Sequence, residues 1–441
     1  MSRSIGELLA DQLRLLGADR LYGSPLAGTI ASSIDYVALE DDQLALLLAD
    51  ADGRLSGAYG AAMVSGSILH VSSQPGGRSN PVTVTDAEQL VDALASLGAI
   101  SVPTTMALHL DLDLGAPAPV GTEACLTDPA GVVVTLNPSF ADANVAVVVG
   151  PGVVRAGQVA GLRELAARGG LGVVNTWGAK GVFRWDSPFH FGTAGLQARD
   201  FELAGVSGAD LVVTCGLDLD ETPLDSLGSY VIQDVEPWQL PALVANWPRS
   251  NEPPEQRPPL YGVLAAVVTP LYESSDVPMT PPRAALHLSG ACPEDGVVVA
   301  DAGVAGFWIA RTFPTGTTGS VVVPAIAQPG FAAAAAMAAR LAGRRSIAVV
   351  DGPLDDATEH VLEAAERAGV AFGVQVWGGD GVLADTGEHV SMTQRGFEAE
   401  VIMIDDVPID TSVLEHLIDV AGPVTAWGLG EGPADDGAGE S

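Results

Sequence analysis

Lys180 is the only lysine in this chain; the rest of its 20 basic residues are arginines, set against 55 acids. Potential nucleophiles and general bases are therefore few: that lysine, seven histidines and three cysteines. His70, His109, His190, His287, His360, His389 and His416 are dispersed, with no H-E-x-x-H pair and nothing resembling a hydrolytic triad. Cys125, Cys215 and Cys292 are far apart in apolar or loop contexts, so neither a metal site nor a disulfide framework is expected. Gly150-Pro151-Gly152 follows an apolar run, where bare backbone can approach a phosphate. The full dinucleotide fingerprint is missing there, and an NAD site is not expected. Asp351-Gly352 closes the apolar run Ile347–Val350. A carboxylate at a strand's C-terminal end is either a cation ligand or a solvated loop acid. Asp50 and Asp52 read as acids that cap or solvate a helix start.

The elements that must position these groups alternate between helix and strand. The stretch from Leu171 to Pro223 sets the pattern: a short apolar strand, a Gly-rich turn at Gly178-Ala179-Lys180-Gly181, a loop with Gly192 and Gly195, and a second buried strand, Ala209 to Cys215. Strands of continuous Val, Leu and Cys without alternation belong to sheets covered on both faces, which means α/β architecture. Ahead of it, Ser4 to Leu16 has helical spacing, Asp19 to Tyr22 reads as a strand, and Thr29 to Val37 as a helix. Gly57 to Val64 reads as a small-residue helix, Ile68 to Ser72 as a strand and Asp86 to Leu97 as a helix. These make an α/β domain over 1–115. Strand Val145 to Val149, helix Gln158 to Arg168 and strand Tyr230 to Val235 complete a Rossmann-like domain over 117–245. Residues 241–282 are proline-rich and form a connection with one helix, Leu260 to Leu271. A third α/β domain spans 283–430, with strands Val297–Ala300, Ile347–Val350, Val370–Trp377 and Glu400–Ile404. Its expected helices are Gly330–Leu341, Thr358–Ala368 and Thr411–Val420. Residues 431–441 hold too little apolar content to fold and are expected to be disordered.

Length and composition agree with several packed domains: 441 residues, 47% hydrophobic, a size at which one core no longer suffices. A net charge of −35 repels nucleic acid and anionic membrane surfaces, so neither is an expected partner. Its acids are scattered rather than massed, as on a surface adapted to high salt. No apolar run is long enough for a membrane span, and the N-terminal segment reads as an amphipathic helix rather than a signal peptide. A cytoplasmic location is the expectation.

Several segments resemble thiamine diphosphate-dependent enzymes of the acetolactate synthase and 2-oxoacid decarboxylase group. In the central domain, Asn175 to Phe183 is similar to that family's T-x-x-GKG segment, and Asp186-Ser187-Pro188-Phe189-His190-Phe191-Gly192 to its D-H-P-x-x-x-G continuation. Ala209 to Gly216 resembles A-D-L-V-L-x-x-G, and Tyr230 to Pro237 resembles I-x-I-D-x-D-P. Elsewhere Leu21-Tyr22-Gly23-Ser24-Pro25 is similar to V-F-G-x-P-G, and His70 to Gly76 to V-T-S-G-P-G. Val299 to Gly303 resembles T-D-x-G, and Gln328-Pro329-Gly330-Phe331 the M-G-x-x-x-P-A-A segment.

The resemblance implies a pyrimidine-binding-like first domain, a Rossmann-like second and a diphosphate-binding-like third. It implies thiamine diphosphate and Mg as cofactors, a small 2-oxoacid as substrate, decarboxylation or carboligation as the reaction, and a homodimer or homotetramer. Gly23, Pro25, Gly330, Asp351, Gly352 and Gly378 would line the cofactor. Asp351 would bind the metal. The family's Asn pair is here Trp377-Gly378-Gly379-Asp380-Gly381, so Asp380 or a backbone carbonyl would complete the ligand set. Asp52, or Asp50, would be the activating carboxylate, one methylene shorter than the family's Glu. Val350 replaces the first Gly of the family's G-D-G. These departures leave two readings: an active enzyme, or a degenerate homologue kept as a binding or regulatory partner. Some relatives carry FAD in the central domain, a point the motifs leave open.

Overall fold

The computed structural model describes residues 3–429 apart from 24–29, 31, 75, 78, 99–101, 127–142, 223, 229–231, 251 and 255. Three sheets follow one another along the chain, each with its own helical cover, as the α/β reading expects. Pro25 and the tail 431–441 lie outside the described residues.

The first domain runs α1 (Ile5–Leu15), β1 (Arg20–Gly23), β2 (Asp35–Ala38), α2 (Asp42–Ser56), β3 (Gly60–Val64), β4 (Ile68–Ser72), β5 (Val82–Val84), α3 (Ala87–Leu97) and β6 (Thr105–Leu110). Its six-stranded sheet has the order β2-β1-β3-β4-β6-β5 and is mixed, with β4 antiparallel to both neighbours. Two expectations fail here. Asp35 to Val37 is strand rather than helix, because Tyr36 and Val37 pair with β1. Gly60 to Val64 is also strand: small residues are needed because a Cβ at Gly60 would lie 1.8 Å from the Ala49 carbonyl oxygen of α2. Tertiary contact overrides local propensity in both cases.

The second domain comprises β7 (Val145–Val149), α4 (Gly152–Arg155), α5 (Val159–Gly169), β8 (Val173–Thr176), β9 (His190–Ala194), α6 (Asp200–Leu203), β10 (Leu211–Cys215), β11 (Ile232–Val235) and α7 (Leu240–Asn246). All strands are parallel in the order β11-β10-β7-β8-β9, and β10 is buried at every position. In the connection α8 (Pro259–Glu273) is the expected helix, and α9 (Pro281–Ala291), which was not expected, leads into the third domain.

The third domain follows as β12 (Gly296–Ala300), α10 (Val304–Thr312), β13 (Val321–Val322), α11 (Phe331–Leu341), β14 (Arg345–Asp351), α12 (Asp356–Arg367), β15 (Gly373–Trp377), α13 (Thr386–Phe397), β16 (Met403–Val407) and α14 (Leu414–Ala421). Its strands are parallel in the order β13-β12-β14-β15-β16. The last strand lies three residues beyond the apolar run that suggested it, because Met403 to Val407 is the segment in register with β15. Helix α11, nearly all alanine, is buried and packs against α2, so the first and third domains share one core cluster. The short alanine side chains of α11 let the two helix backbones approach, which sets that contact. No helix among the described residues is long and apolar enough to cross a membrane.

Candidate cofactor site

At the C-terminal edge of the third sheet, β12, β14 and β15 end side by side, with Ala300 opposite Val349 and Asp351 opposite Trp377. Each of the first two strands delivers an acid to the start of a helix. Asp351 Oδ1 accepts a hydrogen bond from Ala305 N at 2.9 Å, at the first turn of α10. Asp301 Oδ1 accepts from Ala332 N at 2.7 Å, at the first turn of α11. Helix N-termini carry unsatisfied N–H groups and partial positive charge, so a carboxylate there is favourable. Gly303 must be glycine, since a Cβ would lie 2.1 Å from Asp351 Oδ2.

Neither acid is at ease as an anion. Burial pushes Asp301 up to about 7, with Asp355 and Asp351 adding repulsion and the Ala332 N–H opposing. Burial also raises Asp351, against hydrogen bonds from Ala305 and Val304. Three carboxylates near two helix starts make a place where a cation relieves repulsion. Among the described residues no group of three His, Cys, Asp or Glu comes together at metal-holding distance, so side chains alone do not build a cage.

The other sequence candidates fall into two groups. Gly352 N donates to Trp377 O at 2.9 Å and Gly378 N to Val407 O at 3.1 Å, which ties both glycines to this edge beside Asp351. Gly378 has φ +83° with open space where a Cβ would be, and Gly330, φ +77°, opens α11. Asp380 is exposed, two residues beyond Gly378.

Gly23, Asp50 and Asp52 belong to the first domain. A Cβ at Gly23 would lie 2.0 Å from Met63 O, so this glycine serves the approach of β1 and β3. Asp52 is 6% exposed. It accepts from Tyr22 OH at 3.0 Å and pairs with Arg20 at 3.4 Å. It sits in the last third of α2 rather than at the helix start. These partners commit it to the interior of its own domain, and burial raises its pKa. Asp50 holds Gly76 N at 3.0 Å and His70 Nε2 at 3.4 Å. The acid at the start of α2 is Asp41, which caps the helix and meets His360 of α12 at 3.1 Å.

The central domain answers the question of a dinucleotide. In such sheets a dinucleotide lies beyond the strand ends at the point where strand order reverses, here between β7 and β10. That crevice is closed. Gly150 N donates to Cys215 O at 3.0 Å and Gly152 N to Gly216 O at 2.8 Å, lacing the two loops together. Beside it Arg54, reaching in from α2, donates to Glu221 and, at 3.1 Å, to Val323 O, with Asp218 at 3.7 Å. Glu221 also accepts from Thr176 Oγ1 and, at 3.0 Å, from Gly178 N. A Cβ at Gly178 would strike both Glu221 and Arg54. Sequence reading missed this network because Arg54 and Glu221 are 167 positions apart.

With this geometry in hand, three comparisons bear on the chain. Residues 141–235 match the family described as thiamine pyrophosphate enzyme, central domain. No curated protein matches the sequence. Among solved structures, the chain is similar to one from Mycobacterium smegmatis, described provisionally as a thiamin diphosphate-dependent enzyme. The TM-score is 0.63 at 17% identity, over 92% of this chain and 99% of that one. The three-domain fold is therefore that of a known architecture, and the family match lies in its central domain.

Proposed function

We propose that this chain binds thiamine diphosphate with a divalent cation at the C-terminal edge of the third sheet and serves the chemistry of a small 2-oxoacid. The observation that carries the reading is the convergence of Asp351 and Asp301 on the starts of α10 and α11, with Gly303 holding backbone against Asp351. The central-domain match at 141–235 supports it. The diphosphate end fits these residues through its metal: the raised carboxylates favour the cation that must accompany a diphosphate. When bound, thiamine diphosphate supplies a carbanion and then an electron sink for decarboxylation or carboligation. This chain's residues would do the holding. Asp351 would be the metal ligand, Asp380 or a backbone carbonyl of 378–381 a second one, with Gly330, Gly352 and Gly378 bringing backbone to the cofactor and Gly378 facing open space. The chain works as a homodimer or homotetramer under this reading.

The aminopyrimidine end fits less well. Asp52 and Asp50 are both held by partners inside the first domain. That favours a second reading, a homologue that binds the cofactor without turnover and acts as a binding or regulatory partner. Calorimetry of the purified protein with thiamine diphosphate and Mg²⁺, beside Asp351→Ala, tests the shared part. Micromolar binding lost in the variant supports it; no binding by the wild-type protein overturns it. Assay of 2-oxoacid consumption on the loaded protein then separates the two readings.

A further inference from the structure

A second cavity, of about 640 Å³, opens between β9, α8, α9 and the end of α10. It shares no residue with the third-sheet edge. Its volume is in the range of small-molecule sites, roughly 300–1,000 Å³, and Phe183, Leu264, Val268 and Leu286 give it an apolar wall. Lys180 lines this cavity. Its residue is 8% exposed, and its ammonium has no hydrogen-bond or ion-pair partner among the described residues. His190 on β9 lines the same cavity, with Nδ1 buried and likewise without a partner. Arg311, in the same wall, pairs through its two terminal nitrogens with Asp200 at 2.7 and 2.8 Å and with Thr193 O at 2.8 Å, while its Nε has no partner among the described residues.

A chain that uses arginine at every other basic position keeps a lysine here. An arginine remains charged in proteins, whereas an amine can lose its proton and become a nucleophile. Burial and the neighbouring Arg311 push Lys180 down to about 7, and burial pushes His190 down to about 3, so the imidazole is neutral. The charged and titratable groups lining the cavity with the amine are His190 on β9, Tyr261, Tyr272 and Glu273 on α8, Arg283 on α9 and Arg311 on α10, and Arg257, ahead of α8, acts on His190. Among them Glu273 is the one carboxylate on the cavity wall.

We propose that this cavity binds a small apolar aldehyde or ketone, which Lys180 captures as an imine. The Nζ lone pair attacks the carbonyl carbon while the C=O π pair moves to oxygen. The oxygen takes up protons released by the nitrogen, the C–O bond breaks and water leaves. Carbonyl compound and amine become imine and water, with no change of oxidation state. His190 Nδ1, unpartnered among the described residues as are Arg283 Nε and Arg311 Nε in the same wall, is the one of these three on a neutral side chain and is suited to relay the proton from nitrogen to oxygen.

The single lysine makes the test direct. Full-length protein is treated with hexanal and borohydride at pH 7, then analysed by intact mass and peptide mapping. The expected result is one hexyl increment on the peptide containing Lys180. Its rate should exceed that of N-α-acetyl-lysine at least about tenfold, since an amine with a pKa near 7 is far more often neutral than a solvated lysine. Lys180→Arg and Lys180→Met, each checked for a native-like melting profile, should lose the increment. Labelling confined to the N-terminal amine, or unchanged in both variants, overturns the proposal, as does a Lys180 rate no greater than that of the free amino acid.

Discussion

The ends of the second and third sheets are built from the same parts and used in opposite ways. In the second domain the acids beyond the strands, Asp218 and Glu221, receive Arg54 from another domain, and the loops of β7 and β10 are laced shut. In the third, Asp301 and Asp351 receive backbone N–H groups and, among the described residues, no cationic side chain, and Gly378 beside them faces open space. A crevice that supplies its own cation has no call for a ligand. One whose acids are raised in pKa by burial, and at Asp301 also by Asp355 and Asp351, gains from a cation beside them.

Removing the internal cation should show this most strongly. Arg54→Met leaves Glu221 and Asp218 buried without their partner, and stability should fall by roughly 3–5 kcal/mol, read as a lower urea midpoint. A small loss would mean the second crevice does not depend on its ion pairs. The third edge should respond in the other direction. Asp301 moves from 3.8 unfolded to about 7 folded, so its carboxyl favours the fold below about pH 4 and opposes it increasingly as pH rises to 7. Asp301→Asn keeps an acceptor for Ala332 N and removes the charge. Its gain should be on the order of 4 kcal/mol at pH 8, from three units at 1.36 kcal/mol each, and vanish below pH 4. Denaturation across that pH range checks it; a gain independent of pH would refute the cost of burying the charged carboxylate.

Two smaller effects sharpen the contrast. Gly378→Ala meets open space, so its cost is that of a left-handed backbone, roughly 1–2 kcal/mol, whereas Gly178→Ala strikes Glu221 and Arg54 and should cost more. Melting temperatures of the two variants rank them. Finally, FAD added to the protein should keep the fluorescence of free flavin; quenching with saturation would mean the second crevice opens.

Much of the fold was readable because continuous Val and Leu runs such as Leu211–Cys215 declare a covered parallel strand whatever surrounds them. Reading failed where local signals were weak. Residues 60–64 are small and became strand only through packing under α2, and α10 and α13 went unnoticed because their apolar faces are set by β14 and α9 rather than by a strong period. Of the candidate site, Asp351, Gly352, Gly378 and Gly330 were found from strand ends and turn glycines, and they share one edge. Asp301, Arg54 and Glu221 were not singled out, since nothing local marks an acid as a cap or an arginine as a plug.

By itself, then, the sequence determined the order of three α/β units and the kinship of the central one, because both are written in short contiguous patterns. Which carboxylates are neutralised, which cap helices and which stay open to a cation was decided by the tertiary structure. Electrostatics depends on distance in space, and the tertiary partners that settle these acids lie from 20 to 319 residues away. The same holds for Lys180: the chain names it as unique, and only the fold surrounds it with a cavity and leaves it without a partner.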